Sequence, residues 1–211
     1  MKRTKGDKTR ARVIEGAIRA LCATGVIGTT TRQIAAESDV HLATLHYHFD
    51  SKSALLLAVL EALIEEMTLT LREEVRGSSN LDECIAQVIR AAWRWVIRTK
   101  MLQIIQYELT LYALRNGAQW LAERQYDAYV ELYREFLITV AKESNELSPA
   151  DCRAVARFML AGVDGLILQD LAKPSQARSK RGIEALIRSA QIYARSIMAR
   201  RKESGHARSL P

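Results

Sequence analysis

One short segment of the sequence carries Thr30, Thr31 and Arg32, then Thr44, His46, Tyr47, His48 and Lys52 among its hydrogen-bonding side chains. Hydroxyls, imidazoles and cations of this kind suit a phosphate backbone, where they set the register of a protein on a duplex and carry little sequence information. An arginine can do more, because its planar fork matches the two acceptors of guanine in the major groove. Arg32 therefore reads as a bidentate guanine contact or as a phosphate contact. A metal is the other chemistry to weigh. His46 and His48 are two residues apart and do not share a helix face, Asp50 falls where the helix should break, and no third ligand is nearby, so no metal site is expected. No Ser/His/Asp constellation in a recognisable context, no phosphate-cradling Gly loop and no metal-ligand spacing occurs elsewhere. No catalytic residue, cofactor or enzymatic activity is expected.

These residues need elements to hold them. Val13, Ile14, Ala17, Ile18 and Leu21 recur at helical spacing after a polar, basic arm from Lys2 to Arg12, and Gly25 and Gly28 should end that helix. Thr30 with Gln33 fits a capping box, which opens a short helix over 31–37. Ser38-Asp39-Val40-His41 reads as a tight turn, since Asp tolerates a left-handed backbone better than most residues. A second short helix follows from Leu42 to about Phe49. Two short helices joined by a turn and packed on a third are the makings of a helix-turn-helix. In that arrangement Ile34, Ala35, Val40 and Leu45 face inward while Arg32 and Thr44 face outward.

The ordered run Thr29-Thr30-Thr31-Arg32-Gln33-Ile34-Ala35, Val40, Thr44-Leu45, His48-Phe49, Ser51-Lys52 and Leu55 resembles the TetR family of transcriptional repressors. The resemblance covers about Arg12 to Leu63. The chain departs from the family pattern at Asp39, where Gly is usual, at His41, where Ser is usual, and at Ala43 and His46, where Gly and Tyr commonly stand. The resemblance implies that 42–48 enters the major groove of double-stranded DNA. Thr44 would then bond a base edge or meet a thymine methyl, with Leu42 and Ala43 offering apolar contact. It also implies phosphate clamps at Thr30, Tyr47, His48 and Lys52, with His46 and Thr31 on the same surface. A dimer reading a palindromic operator follows, because two heads on a twofold axis read half-sites spaced by a helical turn or its multiple.

Beyond the head the helical pattern continues, with no alternating strand pattern. Helices are expected over 52–76, 81–98, 101–115, 118–143, from Pro149 to about Lys173, and over 180–201. The resemblance implies a small-molecule effector bound in the larger domain. Aromatic and polar candidates for its pocket are Trp93, Arg94, Gln103, Tyr107, Glu108, Tyr112, Trp120, Tyr126 and Tyr129, which would favour an aromatic or hydrophobic ligand; the same aromatics also read as plain core. Two apolar stripes mark the last helices. One includes Phe158, Met159, Gly162, Val163 and Leu166, and the other Ile183, Leu186, Ile187, Ala190, Tyr193, Ala194 and Ile197. They read as a homodimer interface, a four-helix bundle in the resemblance, or as intramolecular core.

Charge placement agrees with a polyanion partner without requiring one. Residues 1–52 carry a net +4, residues 53–175 a net −4 and residues 176–211 a net +7. Basic ends that are merely solvated would look the same. Cys22, Cys84 and Cys152 form no CxxC pair and read as thiols of a reducing compartment. No apolar run follows the basic N-terminus and none is long enough to span a bilayer, so a cytoplasmic protein without a membrane partner is expected. The fold expected is all-α with about nine helices: a helix-turn-helix head over 1–52, a linking helix over 53–76, an effector-binding and dimerisation domain over 77–203, and a disordered tail over 204–211. The function expected is a ligand-released repressor. An activator or dual regulator of the same fold, and a membrane-surface protein using the basic amphipathic 180–202 segment, are the alternatives.

Overall fold

The computed structural model describes residues 4–144 and 147–207, and the described residues form nine helices and no strand. In chain order these are α1 (Lys5–Gly28), α2 (Thr31–Glu37), α3 (Leu42–His48), α4 (Lys52–Glu74), α5 (Leu81–Arg98), α6 (Lys100–Arg115), α7 (Gln119–Ser144), α8 (Pro149–Ala172) and α9 (Gln176–Ala207). Local chemistry sets the boundaries. Three helices open with reciprocal capping boxes, Thr4 with Asp7, Thr30 with Gln33, and Ser148 with Asp151, each satisfying donors that a helix start leaves orphaned.

The first of these boxes corrects the expected N-terminal arm. Thr4 accepts the Asp7 N–H while Asp7 accepts the Thr4 N–H at 2.9 Å, so the segment from Lys5 to Arg10 is helix. The last helix is longer than its apolar stripe in both directions. Ser175 Oγ accepts the Arg178 N–H at its start, and the helix runs on to Ala207 through the stretch expected to be tail; residues 208–211 lie outside the described residues.

The chain divides into two compact units, one formed by residues 1–66 with 99–126 and the other by 67–98 with 127–211. In the first, α1, α2, α3 and the N-terminal part of α4 surround a core that includes Val13, Leu21, Ile34, Leu45, Phe49 and Leu60. Ile105, Leu109 and Ala113 of α6 and Leu121 of α7 complete that core. Residues 99–126, grouped by sequence with the effector domain, therefore share their buried surface with the reading head. Truncating a fully buried leucine such as Leu45 or Leu60 would cost ~2–5 kcal/mol.

In the second unit α5 is strongly amphipathic, burying Leu81, Ile85, Val88, Ile89, Ala92 and Val96. It packs with α8 and α9, which bury Val155, Met159, Val163 and Ile167 from one helix and Ile183, Ile187, Ala190 and Ala194 from the other. Two glycines let α8 and α9 approach closely: a Cβ at Gly162 would collide with Leu186, and one at Gly182 would lie 2.6 Å from Leu166 Cδ2. The polar end of this pair is closed by Ser179, whose hydroxyl donates to buried Asp170 at 2.7 Å.

Candidate nucleic-acid interface

The reading surface is built on α1. At Gly16 there is no room for a side chain, because a Cβ would run into Ser38 at the end of α2. Ser38 is itself buried and donates to the Ile34 carbonyl at 2.6 Å. The chain then reverses through Asp39, the single non-glycine residue at positive φ (49°) among the described residues, and Val40 N–H donates back to the Ala35 carbonyl. That geometry turns α3 so that Leu45 and Phe49 go into the core.

What remains outside is the predicted contact surface. Ala43 and His46 are exposed, and Tyr47 is 85% exposed, an unusual position for a large ring with no partner to cover it. The Tyr47 and His48 rings meet edge to face at 5.2 Å. Leu42, Thr44, His48 and Thr31 are half-buried, while Arg32 stands exposed in the first turn of α2 and makes no ion pair among the described residues. These side chains could together meet a groove and its flanking phosphates.

Two expected phosphate contacts have other occupations. Thr30 is exposed, but its hydroxyl accepts the Gln33 N–H and donates to Gln33 Oε1 at 2.8 Å; its work here is to start α2. Lys52 does not point to solvent. Its Nζ donates to the carbonyls of Val26 at 2.9 Å and Thr29 at 2.8 Å, and lies 5.4 Å from the centre of the Tyr112 ring. Partial burial pulls the ammonium below its ordinary pKa. Lys52 ties the end of α1 to the start of α4, a role that its reading as a phosphate clamp did not include. Arg10, in the region expected to be an arm, lies 5.1 Å over the Phe49 ring.

The proposed effector residues are divided between the two units. Trp93 and Tyr129 are buried in the second unit, where Arg94 is exposed and paired with Glu74 at 2.7 Å. In the first unit Gln103 is buried and donates to Thr99 Oγ1, Tyr107 is half-buried, and Trp120 and Tyr126 are exposed. Glu108 and Tyr112 face α1: they line a cleft of about 180 Å³ together with Thr24, Gly25, Ile27 and Arg115. Two further buried amides, Gln106 and Gln125, escaped the sequence reading; Gln125 accepts from Thr110 at 3.0 Å. Glutamines on helices carry no outward sign of burial, so only the packing reveals them.

The interface stripes also divide. Met159, Val163, Ile183, Ile187, Ala190 and Ala194 are buried within the chain, and Gly162, Leu166 and Leu186 take part in the close α8–α9 approach. A side chain already buried in its own chain adds no area to a partner, which corrects the stripe as a list of interface residues. Phe158 remains exposed, with Tyr193 at 5.3 Å and Ile197 half-buried, and Leu168 and Ile192 add exposed apolar surface.

Residues 13–59 match the family model of bacterial regulatory proteins, tetR family. The nicotine-responsive transcriptional repressor HdnoR of Paenarthrobacter nicotinovorans is 28% identical over 81% of this chain and 88% of its own length. The transcriptional regulator TtgR of Pseudomonas putida is 26% identical over 82% and 86%. Among solved structures, the multidrug binding protein EbrR complexed with imidazole superposes with a TM-score of 0.64 at 26% identity, covering 86% of this chain and 89% of that one. An α2–turn–α3 unit with an exposed reading face, carried on an all-helical chain, defines a helix-turn-helix DNA-binding transcriptional regulator rather than an enzyme. Over residues 13–59 the chain matches the TetR family, and the likeness to transcriptional regulators extends over most of its length.

Proposed function

We propose that the protein is a repressor that binds a palindromic operator as a homodimer and is released by a small-molecule effector. The observation that carries this reading is the outward face of α3, where Ala43, His46 and the 85% exposed Tyr47 stand beside exposed Arg32. We assign 42–48 to the major groove, Arg32 to a guanine or a phosphate, and Tyr47 and His48 to the backbone. The exposed apolar residues of α8 and α9, Phe158, Leu168 and Ile192, are the surface that a second copy would cover. Residues 1–52 form the reading head, and the effector is an aromatic or hydrophobic small molecule. HdnoR, whose name records a response to nicotine, and EbrR, solved with imidazole, support a small-molecule effector for this chain. A cytoplasmic location accords with DNA as partner, and no described helix is long and apolar enough to cross a membrane.

Selection from a random pool of duplexes with the full chain tests this. A twofold-symmetric consensus is expected, with half-site centres roughly 10 base pairs or a multiple of that apart. Arg32→Ala should weaken binding by ~1–3 kcal/mol if it reads guanine, and relax the consensus at one position of each half-site. Tyr47→Ala should weaken all sequences alike. Recovery of no consensus, or a footprint indifferent to both changes, would overturn the reading.

A further inference from the structure

α1 changes course just before the reading unit begins. Gly25 lies at φ 71° and ψ 173°, outside helical geometry, although helix continues on both sides of it. An interior helical N–H ordinarily bonds to the carbonyl four residues back. The next amide here, Val26 N–H, instead donates at 2.7 Å to Glu108 Oε2, 82 residues further along the chain. Gly25 is doubly required: its φ disfavours a side chain, and a Cβ there would lie 2.9 Å from the same carboxylate oxygen.

The rest of this turn is held as firmly. Buried Thr29 donates its hydroxyl to the Gly25 carbonyl at 2.6 Å, and Lys52 binds the carbonyls of Val26 and Thr29. Lys52 in turn lies over the ring of Tyr112, one helical turn from Glu108 on α6. Thus α6 grips the 25–29 turn twice, once through an N–H and once through the cation that fixes its carbonyls. The residue after the turn, Thr30, caps α2, and Arg32 follows two positions later.

We propose that Glu108 is a positioning residue for operator binding: by holding Val26 N–H it fixes the direction in which the chain enters α2, and so the pose of α2 and α3 on DNA. This rests on the assignment of α3 as the reading helix. Glu108 touches no DNA; it acts through the backbone of the α1–α2 junction, and α6 gains a direct hold on the reading head.

The test uses the full chain and the duplex that the wild type selects. Glu108→Ala removes the acceptor, while Glu108→Gln keeps an oxygen at the same reach. Glu108→Ala should bind the selected duplex about 10-fold more weakly, the size expected for loss of one charge-assisted hydrogen bond, with the slope against salt unchanged because no phosphate contact is lost. Glu108→Gln should restore affinity to within about 3-fold of wild type. Amide exchange should quicken at Val26 in Glu108→Ala alone, with protection in α4 and α5 unchanged. Wild-type affinity in Glu108→Ala despite rapid exchange at Val26 would overturn the proposal. So would equal weakness of both variants with protection lost throughout, which would mark a general stabiliser. If the wild type selects no duplex, the reading of α3 fails first, an outcome distinct from either.

Discussion

Asp39 sits at φ 49° in the turn between α2 and α3, a conformation that costs most residues ~1–2 kcal/mol and glycine almost nothing. Asp39→Gly should therefore raise the melting temperature slightly, at most about 2–4 °C per kcal/mol for a chain of this size, and Asp39→Val should lower it. Asp164, on α8, makes a second case. Burial pushes its carboxyl up to about 6, above the ~3.9 of an unfolded chain. The folded state thus binds this proton more tightly, so the associated stability is complete below about pH 4 and is lost as pH rises through about 6. Asp164→Asn, which mimics the neutral form, should raise the melting temperature at pH 8 and change it little at pH 4. Thermal scans at the two values check the sign. At this scale the sequence is informative about residue type and poor about partners. Arg32 and Tyr47 were legible as exposed polar candidates because α2 and α3 each have one apolar stripe and the rest must face out. Lys52 was not, because its partners are main-chain carbonyls at Val26 and Thr29, 26 and 23 residues away, and no side-chain pattern announces a carbonyl.

Helices were the most legible feature. Periodicity located all nine described helices and bounded every one but α1 and α9 to within about two residues, and the Thr30–Gln33 box could be read directly from its spacing. The errors arose at the ends. Thr4–Asp7 is also a capping box, but with Asp in place of Glu or Gln and without apolar residues at once behind it, it reads as part of a basic arm. The α8 and α9 stripes show a different limit: periodicity identifies an apolar face but not what covers it. Most of those residues pack within the chain, with Gly162 set against Leu186. Gly162→Ala should accordingly cost ~1–3 kcal/mol through overpacking, seen as a lower denaturation midpoint with an unchanged slope. Were Gly162 serving only a contact between two copies, the midpoint would instead shift with protein concentration.

The first unit is assembled from two stretches of chain, residues 1–66 and 99–126, and this bears on how the molecule comes into being. Ile105, Leu109, Ala113 and Leu121 belong to the same buried cluster as Leu21, Leu45 and Leu60, so the reading head has an unfinished core until the later segment arrives. During synthesis it must wait for more than thirty intervening residues to emerge before its last wall is in place. The domain that contacts DNA is therefore not an autonomous folding module, whatever the self-contained look of its motif. A fragment ending at residue 66 should be poorly protected from amide exchange and bind DNA weakly, and adding a separate peptide covering 99–126 should recover part of both. Full protection in the short fragment would show that the core closes without it. A regulator built this way cannot present a finished reading head before the helix that grips it has been made.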